Sequence, residues 1–158
     1  MKLLINCLLA LLAFVSLGAQ ARNTGEERGR PLLPVHVNPT WQKECSNCHI
    51  AYPPGLLPAD SWRKIMTGLD KHFGADASLT PQETAEITSF LVANPSNRWT
   101  AKTAPLRITE SSWYKSKHSE IRSAIWTRAA VKSRSNCSAC HANAAKGDFN
   151  ERGVRIPK

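Results

Sequence analysis

The chain has little that would place it in a membrane, in a β-sheet fold or among disordered proteins. Beyond about Leu17 no apolar run approaches the ~20 residues needed to cross a bilayer, which excludes an internal membrane span. No stretch alternates apolar and polar residues over a useful length, so a sheet is not expected. Eight glycines and ten prolines in 158 residues are too few for a low-complexity chain. Methionine is nearly missing: Met66 is the only one besides Met1. Acidic residues are scarce, but only in the second half. From Arg22 to Thr100 eight Lys/Arg balance eight Asp/Glu, whereas from Ala101 to Lys158 twelve basic residues face four acidic ones. Such a basic half suits nucleic acid, a membrane surface or an acidic protein partner.

The first residues narrow that choice. Lys2 is followed by an apolar run from Leu3 to about Leu17 and then by Ala19-Gln20-Ala21. This is the layout of a secretory signal peptide with a small-x-small cleavage site. Residues 1–21 are therefore expected to be removed, and Cys7 with them. No cysteine follows the run directly, so a lipid anchor is not expected. Export sets nucleic acid aside and leaves an acidic partner, or transient contact with a membrane surface, for the basic half.

The remaining four cysteines form two copies of one device, C-x-x-C-H: Cys45, Cys48, His49 and Cys137, Cys140, His141. On a helix, positions i, i+3 and i+4 share a face, so each motif presents two thiols and an imidazole together. Two thiols at this spacing can add to the two vinyl groups of one porphyrin, and the adjacent imidazole then becomes the iron's fifth ligand. This is the attachment motif of c-type haem. A redox dithiol needs no histidine at the next position. A Cys₄ zinc site would leave both histidines idle, and a disulfide within each pair would be strained. Two covalently bound haem c groups are the expected cofactors.

The sixth iron position decides between electron transfer and chemistry on a small molecule. His36, His72 and His118 are the histidines outside the motifs, and Met66 is the competing ligand. His72, between Leu69 and Phe73, is expected to face an apolar cleft at the first site, while Met66 reads better as a packing residue. His118 is the only unattached histidine of the second half, and Trp113, Tyr114 and Ile121 give its segment an apolar side. His36, in a proline-flanked arm, reads as a surface residue. A rival class is a dihaem enzyme, peroxidase-like or oxide-reducing, with one iron position left open and a distal acid or base beside it. The closed arrangement makes an electron carrier, not an enzyme, the expected reading.

Helix signals are uneven. A short helix is expected at the first cysteine pair, a loop over Tyr52–Pro58, and a helix after an Asp60 N-cap with Trp62, Ile65, Met66, Leu69 and Phe73 on one side. Thr80-Pro81-Gln82-Glu83 is a capping box that opens a helix running to Asn94-Pro95. The second half offers a helix over about 119–131, and a short one around the second cysteine pair ended by Gly147. The division is 22–38 as an extended arm, 39–97 as a first haem c domain, 98–108 as a linker and 109–158 as a second haem c domain.

ECSNCHIAYPPGLL, SWRKIMTGLDKHFGADASL, WYKSKHSEI and SNCSACHANAAKGDFNERGVRIP together resemble the small dihaem cytochromes c of proteobacteria usually called DHC. The resemblance spans residues 22–158 and implies an all-α chain of two small haem-c domains. The first would be like a small cytochrome c, and the second would have little regular secondary structure. It implies two bis-histidine, low-spin haems, consistent with His49/His72 and His141/His118. It further implies a periplasmic carrier that takes electrons from a membrane cytochrome b and donates them to an oxygen-binding monohaem cytochrome c.

Overall fold

The computed structural model describes residues 31–97 and 105–158; the expected signal peptide, the arm up to residue 30 and linker positions 98–104 lie outside the described residues. Among these, five α-helices are joined by 3₁₀ turns and irregular chain, with no strand: α1 Pro39–Cys45, α2 Ala59–Met66, α3 Pro81–Ala93, α4 Ser112–Lys117 and α5 Ser123–Trp126. The fold is all-α. No helix among the described residues is long and apolar enough to cross a membrane.

The first half is built by well-marked helix ends. Asn38 caps α1, its side chain accepting the Trp41 N–H at 2.7 Å, and Pro39 takes the first helical position. At α3 the capping box is complete: Thr80 Oγ1 accepts the Glu83 N–H and Glu83 Oε2 accepts the Thr80 N–H at 3.0 Å. α2 departs from expectation at both ends. Pro58 rather than Asp60 is its N-cap, and Asp60 lies in the first turn, paired with Arg63 at 2.6 Å. The helix stops at Met66 instead of continuing to Phe73, because Gly68 is a poor helix former and the Thr67 hydroxyl donates to the Lys64 carbonyl at 3.0 Å. A separate 3₁₀ turn, Leu69–Lys71, then carries His72.

α1 and α2 pack on α3. Between them lie Trp41, Ala51, Leu57, Trp62, Met66, Ile87 and Leu91, all buried. Burying side chains as large as Leu57 or Ile87 contributes about 1.5–3 kcal/mol each. The Trp62 indole N–H donates to the Pro54 carbonyl at 2.7 Å, so its polar atom costs nothing on burial. Met66 is 6% exposed within this cluster, the packing role expected of it.

The second half is different in kind. Its buried apolar side chains are Tyr114, Ile125, Val131 and Ala144, too few for an independent core. The expected helix over 119–131 shrinks to the four residues of α5. Arg122 is extended at ψ 142°, and Lys132 at φ 68° turns the chain back. α4 forms where no helix was expected, capped by Ser111, whose buried hydroxyl accepts the Tyr114 N–H at 3.0 Å. Around the second motif only the 3₁₀ turns Cys137–Ala139 and Ala144–Lys146 form, the latter ended by Gly147 in the left-handed region at φ 76°.

The segment expected to be an extended arm is tied down where it is described. The Gly55 N–H donates to the Leu32 carbonyl at 2.9 Å. A Cβ on Gly55 would fall 2.7 Å from Leu32 Cα, and one on Gly147 would fall 2.7 Å from Leu33 Cβ. Residues 32 and 33 thus lie against glycines from both halves. The far end of the expected linker is also engaged: Ser61 donates to the Pro105 carbonyl at 2.8 Å, and Ile108 packs against the first core.

Candidate functional site

The first C-x-x-C-H begins where a helix ends, and the second begins where a 3₁₀ turn starts. Cys45 is the last residue of α1, and Cys48 and His49 follow in the turn after it. At the second motif the His141 N–H donates to the Cys137 carbonyl at 2.9 Å, closing a single α-type turn around both cysteines. The expected short helix therefore reaches Cys45 at the first motif, while turns hold the second. The four thiols are free. Burial pushes the Cys45 and Cys137 thiols up to about 11, with Glu44 adding to the effect at Cys45.

The folded chain then supplies each motif with a second imidazole. The ring centroids of His49 and His72 are 6.2 Å apart, and those of His118 and His141 are also 6.2 Å apart. Two imidazoles bound head-on to opposite sides of one metal ion, each through a bond of about 2.0 Å, have centroids roughly 6 Å apart. The observed spacing of 6.2 Å at both sites matches that span. His36, by contrast, is exposed, and Met66 is enclosed in the first core.

Local structure sets the imidazoles' protonation. His49 Nδ1 lies 2.6 Å from the Ile50 carbonyl oxygen and His118 Nδ1 lies 2.9 Å from that of Tyr114. A carbonyl can only accept, so Nδ1 carries the proton and Nε2 keeps its lone pair for a metal. His72 is held below the ordinary histidine range by burial first, then by His49 and Arg107. His141 is lowered by burial and by His118, against a smaller opposing effect of Asp148. Both stay neutral, the form that ligates a metal.

Backbone strain helps present His72. Phe73 adopts φ 53° and Gly74 φ 102°, and the chain reverses so that the Ala75 N–H returns to the His72 carbonyl at 3.1 Å. A left-handed phenylalanine is costly. Its ring meets His72 edge-on at 4.9 Å, and the Arg107 guanidinium lies over that ring, 4.3 Å from its centroid, contacts that offset the strain. His141 is anchored instead by an isolated antiparallel bridge to Val154.

Two ring contacts were not expected from the sequence, although Tyr114 was placed on the apolar side of the His118 segment. Tyr52 stacks on His49 at 4.6 Å and Tyr114 on His118 at 4.1 Å. Their spacing of three and four residues from those histidines was the available signal.

The residues fit haem on several counts. The paired imidazoles stand at the right spacing, and the thiols are unbridged. Among the described residues no three His, Cys, Asp or Glu side chains are grouped so as to hold a metal ion. Beside His118, the buried Trp126 indole N–H has no acceptor, a donor that a carboxylate-bearing group would satisfy. The thin second core also calls for apolar material that the chain does not supply.

Two thioether-forming motifs, each matched with a second imidazole across a metal-sized gap, define a c-type cytochrome with two haems. The dihaem cytochrome c family profile matches residues 41–149, and the chain belongs to this family. A diheme cytochrome c from Rhodobacter sphaeroides is 43% identical, with a TM-score of 0.67 over 74% of this chain and 99% of that one. The diheme cytochrome of Shewanella baltica is also 43% identical, with a TM-score of 0.69 over 76% of this chain and 93% of that one. No curated protein sequence matches at a significant level. The protein binds two haem c groups covalently and is a dihaem electron carrier.

Proposed function

We propose that the protein works in the periplasm, exported by the signal peptide at 1–21, and carries electrons from a membrane cytochrome b to an oxygen-binding monohaem cytochrome c. Cys45 and Cys48 would hold the first haem and Cys137 and Cys140 the second; His49 with His72, and His141 with His118, would ligate the two irons. The observation that carries the ligation, and with it the carrier reading, is the repeated 6.2 Å spacing of the histidine pairs. Haem c supplies a one-electron iron couple, and imidazole in place of a thioether favours its ferric state.

The chain's own residues do the rest. The Ile50 and Tyr114 carbonyls hold one imidazole of each pair in the ligating tautomer. The first core and the strap of residues 32–33 hold the scaffold on which these side chains sit. Lys115 and Lys117 are exposed on α4 next to His118, where they would steer an acidic partner to the second haem.

Ferric absorption spectra and carbon monoxide binding test the ligation. The wild-type holoprotein should be wholly low-spin and bind no carbon monoxide on reduction. His72→Ala and His118→Ala should each open one iron and take up one carbon monoxide per chain. Stoichiometric binding by the wild-type protein would refute the closed arrangement.

A further inference from the structure

The chain contains two tyrosines, and both are used in the same way. The Tyr52 ring lies on His49 at 4.6 Å and 25°, and its hydroxyl donates to the Ser135 carbonyl at 2.7 Å. The Tyr114 ring lies on His118 at 4.1 Å and 22°, and its hydroxyl donates to the Arg134 carbonyl at 2.9 Å. One imidazole from each site is therefore covered by a phenol, and the two phenols are anchored on consecutive carbonyls of the loop entering the second motif. The same two imidazoles have Nδ1 fixed by a carbonyl. Beside their partners, Phe73 meets His72 at 61° and Phe149 meets His141 at 57°.

We propose that Tyr52 and Tyr114 are positioning residues that lock the rotation of one axial imidazole in each site, and so help to fix the angle between the two imidazole planes of that site. The inference rests on the bis-histidine reading given above. A single iron–nitrogen bond leaves an imidazole free to turn about that bond. A flat ring pressed on one side and an N–H bonded to a fixed carbonyl together remove that freedom. The hydroxyl bond in turn fixes the phenol, which a phenylalanine in its place could not do.

The resulting angles differ: 29° between the His49 and His72 planes, and 75° between those of His118 and His141. Near-parallel imidazoles act on the same iron d orbital and split it from its partner. Near-perpendicular imidazoles act on one orbital each and leave the two close in energy. The two irons should thus be electronically distinct although their ligand sets are the same.

Electron paramagnetic resonance of the ferric holoprotein tests this. The wild type should show two low-spin signals, an ordinary rhombic one from the first site and one of large maximal g from the second. Tyr52→Phe should shift or broaden the rhombic signal alone, and Tyr114→Phe the large-g signal alone. Tyr52→Leu and Tyr114→Leu, which remove the stack as well, should enlarge the same site-specific shifts. Two wild-type signals of one type, or g values unmoved in both the Phe and Leu variants, would overturn the proposal while leaving bis-histidine ligation intact. A high-spin wild-type signal would instead overturn the ligation itself, and the positioning role with it.

Discussion

Gly147→Ala is the substitution whose cost the structure specifies best. Gly147 ends the turn after His141 at φ 76°, a region where an L-residue with a Cβ loses roughly 1–2 kcal/mol. The added Cβ would also fall 2.7 Å from Leu33 Cβ, closer than real carbon atoms approach. Overpacking of this kind costs typically about 1–3 kcal/mol. The two effects are independent, so the variant should lose about 2–5 kcal/mol. Two comparisons separate them. Gly55→Ala meets only the steric part, against the Leu32 backbone at 2.7 Å, while Gly153→Ala meets nothing within 4 Å and has no positive φ. Guanidinium unfolding of the three holoproteins, followed by far-ultraviolet circular dichroism and by the haem absorption band, should rank them Gly147→Ala, then Gly55→Ala, then Gly153→Ala near wild type. If Gly147→Ala unfolds with the same midpoint as Gly153→Ala, residues 32 and 33 do not clamp the two halves as described.

Thr80→Ala removes one half of the capping box and should cost about 1 kcal/mol, seen as a lower denaturation midpoint with unchanged haem spectra; an unchanged midpoint would contradict it. Both phenols should resist ionisation. Burial pushes Tyr52 up from its ordinary 10.0 to about 12 and moves Tyr114 in the same direction. Because the folded values exceed the unfolded one, this contribution to stability is complete below pH 10 and fades as pH rises through the folded value. Phenolate absorbance should therefore appear only above that range and together with unfolding; reversible ionisation near pH 10 in the folded protein would refute it. Reversing charge at Lys115 and Lys117 should slow electron transfer to an acidic partner at low salt and have less effect at high salt. Lys117 is already half-committed to Glu151 at 3.4 Å, so Lys115→Glu should act more strongly than Lys117→Glu. Equal rates for wild type and the double variant would remove the steering role.

The covalent chemistry was legible in the sequence because it is local. Two thiols and an imidazole within five positions meet through a single turn, whatever the rest of the chain does. The same holds for α3, whose capping box and proline mark its start within four residues. The second half was less legible. Its few apolar residues give no clear period, and its geometry depends on contacts such as Tyr114 with Arg134, 20 positions apart. The end of α2 was misplaced because the apolar spacing of Leu69 and Phe73 continues past Gly68, while the backbone does not.

What the sequence alone determined is the identity and number of the cofactors, since attachment motifs are short-range and survive any folding detail. It also narrowed the second ligands to a handful of residues by scarcity. Only tertiary structure brought His72 across from His49 and His118 across from His141, at 6.2 Å each. Those distances join separate turns, and the planes of the rings are set by tyrosines and carbonyls that no periodicity in the chain relates to them.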